Sequence, residues 1–284
     1  MGLNLGGGSA TSAFAVQQLS SAQDMLTQSL KRLSSGKRIT KPSDDPGGLA
    51  VSMKLKHAIT VTSATKNNVE NAKSYADTQD SALEAVANIL DRMSTIRTSY
   101  GSATATSSDK ASYATEFKEL SKSLASYKSE TFNGISLFAA SGQGTAMKVY
   151  TSTRGDSGLY ISMGQLDVDT ALQIGTTDLE SATGALSISQ VTIGTLTTAV
   201  GNVANLRATS GATSSRLGFA SDFLATSKMN LEAANSRIMD VDVAEEATNF
   251  AKYNVQSYAA AAALAQSNLN LGIVLDLLGS SRRT

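Results

Sequence analysis

Apolar and small residues recur at steps of three and four along most of this chain, and only a few places interrupt the stripe. Between Phe14 and Ser35 it comprises Leu19, Ala22, Met25, Leu26, Leu30 and Leu33, one face of an amphipathic helix. Gly36 supplies a C-terminal cap and Lys37–Ser43 breaks the period. Asp45-Pro46 restarts it, with an aspartate at the N-cap and a proline where its missing N–H costs nothing. The stripe then runs through Val69, Ala72, Ala76, Leu83, Val86, Leu90, Met93 and Ile96 towards Tyr100, close to a heptad seam. A helix of that span is on the order of 80 Å long, which predicts a rod.

The linker Gly101–Asp109 is rich in Ser, Thr and Ala. A third helix is predicted from Tyr113, Phe117, Leu120, Leu124 and Tyr127, ended by the turn Thr131-Phe132-Asn133-Gly134. Over residues 141–186 the period falls to two. Met147 and Val149 lie before Arg154–Gly158, and Leu159, Ile161 and Met163 after it, which predicts a hairpin. From Ile188 the helical step returns through Ile193, Leu196, Val200, Val203, Leu206, Leu217 and Leu224, with an interruption of the seam expected at Ser210–Ser215. Asp240-Val241-Asp242 caps a last helix, Val243–Leu278, carrying Phe250, Leu264, Leu271, Leu275 and Leu278.

The fold class expected is mainly α. N- and C-terminal segments pack antiparallel as a long helical rod or coiled coil, with a small β-hairpin-bearing insert at its tip. Residues 1–44 and 241–284 form a terminal-helix domain, 45–140 and 187–240 a rod domain, and 141–186 the insert.

Composition sharpens this picture. Apolar residues are 41% of the chain but aromatics only 5%, with no Trp, so a thick globular core is poorly supplied. Pro42 and Pro46 are its only prolines, which leaves everything beyond them open to helix. Val243–Leu278 is apolar or small almost all round, and a helix of that kind must be covered by something. Copies of the same chain are the simplest cover, and a contact that does not close into a ring builds an open filament.

Charge and chemistry exclude more than they suggest. Lys plus Arg and Asp plus Glu both number 24, so nothing draws the chain to nucleic acid or an anionic membrane. No cysteine is present, and no apolar run approaches the roughly 18 residues of a membrane span. The first basic residue is Lys31, so the start lacks the charged region of a secretory signal; this suggests a cytoplasmic protein or an export route that leaves the N-terminus intact.

Asp44 and Asp45 are a carboxylate pair, but their place before Pro46 speaks for helix capping, as does that of Asp240 and Asp242. His57, the only histidine, has no Cys or His partner for a metal. Arg92 and Arg207 suit a salt-bridged helix face. Arg154-Gly155-Asp156 sits where a turn wants Gly and Asp anyway, and Gly6–Gly8 lacks the Gly-Lys-Ser/Thr ending of a phosphate loop. No nucleophile–base pair emerges, so no catalytic residue, metal or cofactor is expected.

Several of these segments together resemble the bacterial flagellins. Leu30-Lys31-Arg32-Leu33-Ser34-Ser35-Gly36-Lys37-Arg38-Ile39 followed by Asp44-Asp45-Pro46-Gly47-Gly48-Leu49-Ala50 is similar to that family's N-terminal hallmark. Asn235-Ser236-Arg237-Ile238-Met239-Asp240-Val241-Asp242 matches its Arg-Ile-x-Asp-x-Asp signature, and Leu264-Ala265-Gln266-Ser267-Asn268 with Leu275–Leu278 its closing segment. Leu90-Asp91-Arg92-Met93-Ser94-Thr95-Ile96 resembles its Leu-x-Arg-x-x-x-Leu stretch, with Ile96 replacing the last Leu. The glycine-rich start, the two arginines of the tail and the short insert depart from the family's pattern.

The resemblance implies a structural subunit of an extracellular flagellar filament used for swimming, exported unfolded without N-terminal cleavage. It implies subunit packing through Leu19, Leu26, Leu30, Leu33, Arg92, Ile96, Phe250, Leu264, Leu271, Leu275 and Leu278, and a loop shaped by Asp44, Asp45, Asp240 and Asp242. The partners implied are copies of the chain, cap and hook-junction proteins, an export chaperone and an innate immune receptor. A hook–filament junction protein and a coiled-coil binding module that never polymerises are the competing readings.

Overall fold

The computed structural model describes residues 6–139, 145–154, 157–174, 177–179 and 186–280, the side chains of 6–11, 174, 177–178, 271 and 274–280 excepted. Helices dominate: α1 Gly6–Ser35, α2 Pro46–Tyr100, α3 Ser107–Tyr127, the short α4 Val168–Leu172, α5 Ile193–Met239 and α6 Val243–Ser280. Three antiparallel strand pairs join them, β1 Thr131–Phe132 with β2 Ile135–Ser136, β3 Ala146–Tyr150 with β4 Tyr160–Gly164, and β5 Gln173–Ile174 with β6 Thr177–Asp178. The protein is thus mainly α with a small β-bearing insert. Among the described residues no helix is long and apolar enough to cross a membrane.

The chain divides into two compact units, Ala58–Asn230 and a second formed by Met1–His57 with Leu231–Thr284. In the first, α2 and α5 pack as an antiparallel coil. Thr62, Val69, Ala76, Leu83 and Leu90 are buried at steps of seven along α2, and Leu196, Val203, Ser210, Leu217 and Leu224 at the same step along α5. A strict seven-residue repeat is the pattern that holds two helices in one continuous seam. The direction follows from pairs along it. Arg97 Nε donates to Val191 O at 2.6 Å, Arg207 makes two bonds of 2.9 and 3.1 Å to the Asp80 carboxylate, and Ser214 Oγ donates to Asp77 at 2.7 Å. Phe117 and Leu124 of α3 complete the core from one side.

The expected interruption at Ser210–Ser215 does not occur, since α5 runs through it unbroken. Ser210 is buried, and its hydroxyl donates to Ala76 O at 3.0 Å. The Ser210 hydroxyl thus reaches the facing backbone, so the seam carries a polar layer where it was expected to stop. Beside it Gln79 donates from Nε2 to Leu137 O at 2.7 Å and to Gly164 O at 3.3 Å, the second bond tying the insert to the coil. A buried polar layer inside an apolar seam favours one register over its neighbours.

The hairpin β3–β4 pairs Met147 with Met163 and Val149 with Ile161, the alternating residues of the sequence pattern. Leu159 lies outside the strand and is exposed. Asn133 and Gly134 both have positive φ, 51° and 78°. Within the turn expected at Thr131–Gly134, Asn133-Gly134 is therefore the tight connection of the hairpin β1–β2. Gly155 and Asp156 of the Arg-Gly-Asp tripeptide lie outside the described residues.

Candidate assembly surface

The unit made of both chain ends is built differently. α1 and α6 lie antiparallel, with Arg32 Nη1 3.6 Å from the buried Glu246 carboxylate where the end of α1 meets the start of α6. Yet among the described residues of this unit only Ala22 and Ile39 are buried apolar side chains. Phe14, Val16, Met25, Leu30, Met53, Val255, Tyr258, Leu269 and Ile273 are exposed, Tyr258 at 73%. Two helices touch along one line and can cover only one stripe of each. A helix apolar on several sides keeps the remainder in water. A groove of about 490 Å³ runs between them, lined among others by Gln18, Ala22, Met25, Tyr253 and Ala260.

The loop between α1 and α2 is fixed by carboxylates. Asp44 Oδ2 accepts from Thr40 N, Thr40 Oγ1 and Lys41 N, each at 3.0 Å, and Oδ1 from Gln28 Nε2 at 3.3 Å. Asp45 Oδ1 accepts from Gly48 N at 2.8 Å and so caps α2. A Cβ at Gly48 would press on the capping Asp45 carboxylate and lie 2.9 Å from Ile39, so a larger residue there would displace the cap. Gly36, at φ 68°, ends α1 in the left-handed conformation that glycine adopts without strain.

This loop is clasped to the α5–α6 junction. Arg38 N donates to Met239 O at 2.6 Å and Val241 N to Gly36 O at 3.1 Å. Arg38 also places Nε and Nη2 on Ile238 O, at 3.2 and 2.9 Å, with Nη2 3.4 Å from Asp45. A cation on the last carbonyls of α5 offsets the negative end of the helix dipole. Asp242 Oδ1 accepts from Ala244 N at 2.9 Å and Glu245 N at 3.2 Å, capping α6, while Asp240 takes the Ser236 hydroxyl at 2.6 Å. Of the four aspartates, Asp45 and Asp242 cap helices, Asp44 folds the loop and Asp240 closes α5.

The backbone N–H groups of Thr40 and then Lys41 hold the Asp44 carboxyl below its usual range, and Gly48 N–H does the same for Asp45. A depressed carboxyl stabilises the fold fully above its unfolded value and loses that contribution as pH falls through the folded one. The loop is therefore indifferent to pH near neutrality and loosens only in acid. Amide shifts of Thr40 and Lys41 should titrate together below pH ~3.9, the ordinary Asp value. The Asp44→Asn variant should lose that step, and a titration near pH 6 would contradict the assignment.

The sequence-predicted packing residues fall into distinct environments. Leu19, Leu26, Leu33, Phe250 and Leu264 are half-buried and Leu30 is exposed, all in the terminal unit. The side chains of Leu271, Leu275 and Leu278 lie outside the described residues. Arg92 is exposed in the other unit and pairs with Glu116, Nη2 to carboxylate 2.6 Å. Ile96 departs from its expected role. At 2% exposure it belongs to the core of its own chain and has no surface to offer a neighbour. Arg38 was missed by sequence reasoning, because its partners at 238 and 239 lie two hundred residues away and leave no local signal. The capping box of α3, Thr106 with Asp109, was legible as a Thr-x-x-Asp step but passed over as linker. His57 is exposed, and among the described residues no group of three or more His, Asp or Glu gathers that could hold a metal.

Comparison with known proteins shows the family. Residues 9–143 match the family model of the bacterial flagellin N-terminal helical region, and residues 193–278 that of the bacterial flagellin C-terminal helical region. A flagellin of Halalkalibacterium halodurans is 31% identical over 88% of this chain and 91% of its own length. The flagellar filament 30.7 kDa core protein of Treponema maltophilum is 28% identical over 94% and 97%. A Vibrio parahaemolyticus chain assigned to the flagellar hook-associated proteins shares the fold, with a TM-score of 0.57 at 15% identity, covering 69% of this chain and 100% of that one.

Proposed function

The chain belongs to the bacterial flagellin family, and from that premise we propose that its two terminal helices are the surface through which it polymerises into a flagellar filament. The family is a structural one, and this chain is a filament subunit. One observation carries the assignment of the surface: the unit of α1 and α6 buries only two apolar side chains among its described residues and leaves large ones in water. Copies of the chain are the cover such surface calls for.

On this reading residues 1–44 with 241–284 form the filament's inner layer. Leu19, Leu26, Leu30, Leu33, Phe250, Leu264, Leu271, Leu275 and Leu278 pack between subunits there. Residues 45–140 with 187–240 form an outer layer, which bears the exposed Arg92, and 141–186 its small tip. The same exposed α6 is what an export chaperone would shield before assembly. Cap and hook-junction proteins would meet the subunit at the filament's two ends, and the place of work is outside the cell, in swimming. An innate immune receptor reading the Arg92 region belongs to the same proposal, as does the absence of catalytic activity.

A hook–filament junction protein shares the fold, so the fold does not separate the two. The near full-length match to filament core proteins favours the filament. Seeding separates the readings experimentally. Short filament fragments added to monomer should elongate in proportion to monomer concentration; folded monomer persisting beside unchanged seeds would instead support a junction protein or a non-polymerising coil.

A further inference from the structure

We propose that Asn133 is a site of spontaneous deamidation, and that its isoaspartyl product unlocks the hairpin β1–β2. This goes beyond the filament reading and does not depend on it. Asn133 and Gly134 are the only Asn-Gly pair in the chain. Both are exposed, in the turn between strands of two residues each. Every other asparagine among the described residues lies in α2, α5 or α6 and precedes a residue that has a side chain.

The reaction is intramolecular, with water as its only co-reactant. The Gly134 nitrogen gives up its proton and bonds to Cγ of Asn133, the Cγ–Nδ2 bond breaks, and ammonia leaves. Water then opens the cyclic imide. Attack at Cγ gives aspartate; attack at the backbone carbonyl gives isoaspartate, whose main chain runs through the side chain and is one methylene longer. Glycine permits the approach, because no Cβ at position 134 shields the nitrogen. Asn133, at φ 51°, has to leave its left-handed conformation before that nitrogen reaches Cγ, so the turn must open first. An isolated pair of such short strands is marginal, and its tip opens at little cost. In a helix the attacking N–H is held by a carbonyl of the preceding turn, and freeing it breaks the helix locally.

The effect of the product follows from what the hairpin holds. Phe132 pairs with Ile135 across the turn, and its ring meets Tyr75 edge-on at 6.0 Å. Tyr75 Oη donates to Ser136 O at 2.8 Å, and Leu137 N to Glu130 O at 3.0 Å. A turn of two residues fixes this register. An added methylene lengthens one side of the connection while Tyr75 and Gln79 still tie the second strand to α2, so the pairing is lost. Aspartate keeps the original backbone and leaves the pairing in place.

Full-length monomer aged at mildly alkaline pH and then peptide-mapped should show at least about tenfold more conversion at Asn133 than at any helical asparagine, because helix amides open far more rarely. Asn133→Gln, which would have to close a larger ring, should remove that product. The isoaspartyl fraction, isolated by chromatography, should exchange the Leu137 amide at least about tenfold faster than the parent, while Asn133→Asp keeps the parental protection. Conversion no greater than that of the helical asparagines, or conversion only after unfolding in urea, overturns the site. Parental protection of Leu137 in the isoaspartyl fraction overturns its effect on the hairpin.

Discussion

Deleting Val243–Thr284 should lower the polymer formed at a given concentration by at least about a hundredfold, since it removes a large share of the residues proposed to carry binding. The same deletion should leave the coil of α2, α3 and α5 folded. The reason is the separation of cores: every member of the buried cluster lies between Val69 and Leu224, and none comes from α6. What α6 contributes to its own chain is a line of contact with α1 and the Arg32–Glu246 pair. Light scattering after seeding measures the first effect, and urea unfolding followed by circular dichroism the second. Growth at the parental rate would remove α6 from the assembly surface. Collapse of the unfolding transition would show that the two units stabilise each other.

The second large effect is expected inside the coil. Leu83 is fully buried at a seam position of α2, and it has no rim from which neighbours could relax into the space it leaves. Leu83→Ala should therefore cost about 3 kcal/mol, from lost transfer energy and a residual cavity. The denaturation midpoint should fall at an unchanged slope. Substitution of the exposed Phe223 by Ser should shift the same midpoint by less than about 0.5 kcal/mol. Equal effects at the two positions would mean that the seam assignment is wrong. The contrast also separates folding from assembly, because Leu83→Ala subunits that remain folded should still elongate.

Helices and their caps were largely legible in the chain itself. The steps of three, four and seven placed α2, α3, α5 and α6, because an apolar stripe of that period has no other way to leave water than as one helix face. Asp45-Pro46 and Asp242 marked helix starts through chemistry local to a few residues. Residues 6–13 were not legible as helix, since glycines and serines show no stripe whatever backbone they adopt. The motifs at both ends carried the family, and with it the function.

Other features waited for the tertiary structure, for one physical reason: they join residues far apart in sequence. The stretch Ser210–Ser215 looked like a gap because smallness reads as absence until the facing helix, with Ala76 and Gln79, is in place. Ile96 carried a motif that suggested contact with a neighbour, and only packing against its own chain revealed it as core. The clasp of Arg38 on Ile238 and Met239 exists only once both ends of the chain meet. The sequence could show that the terminal helices are apolar on more than one side. How much of that surface one molecule covers for itself was decided by the packing of α1 on α6, which leaves large apolar side chains such as Phe14, Val255 and Tyr258 exposed in the single chain.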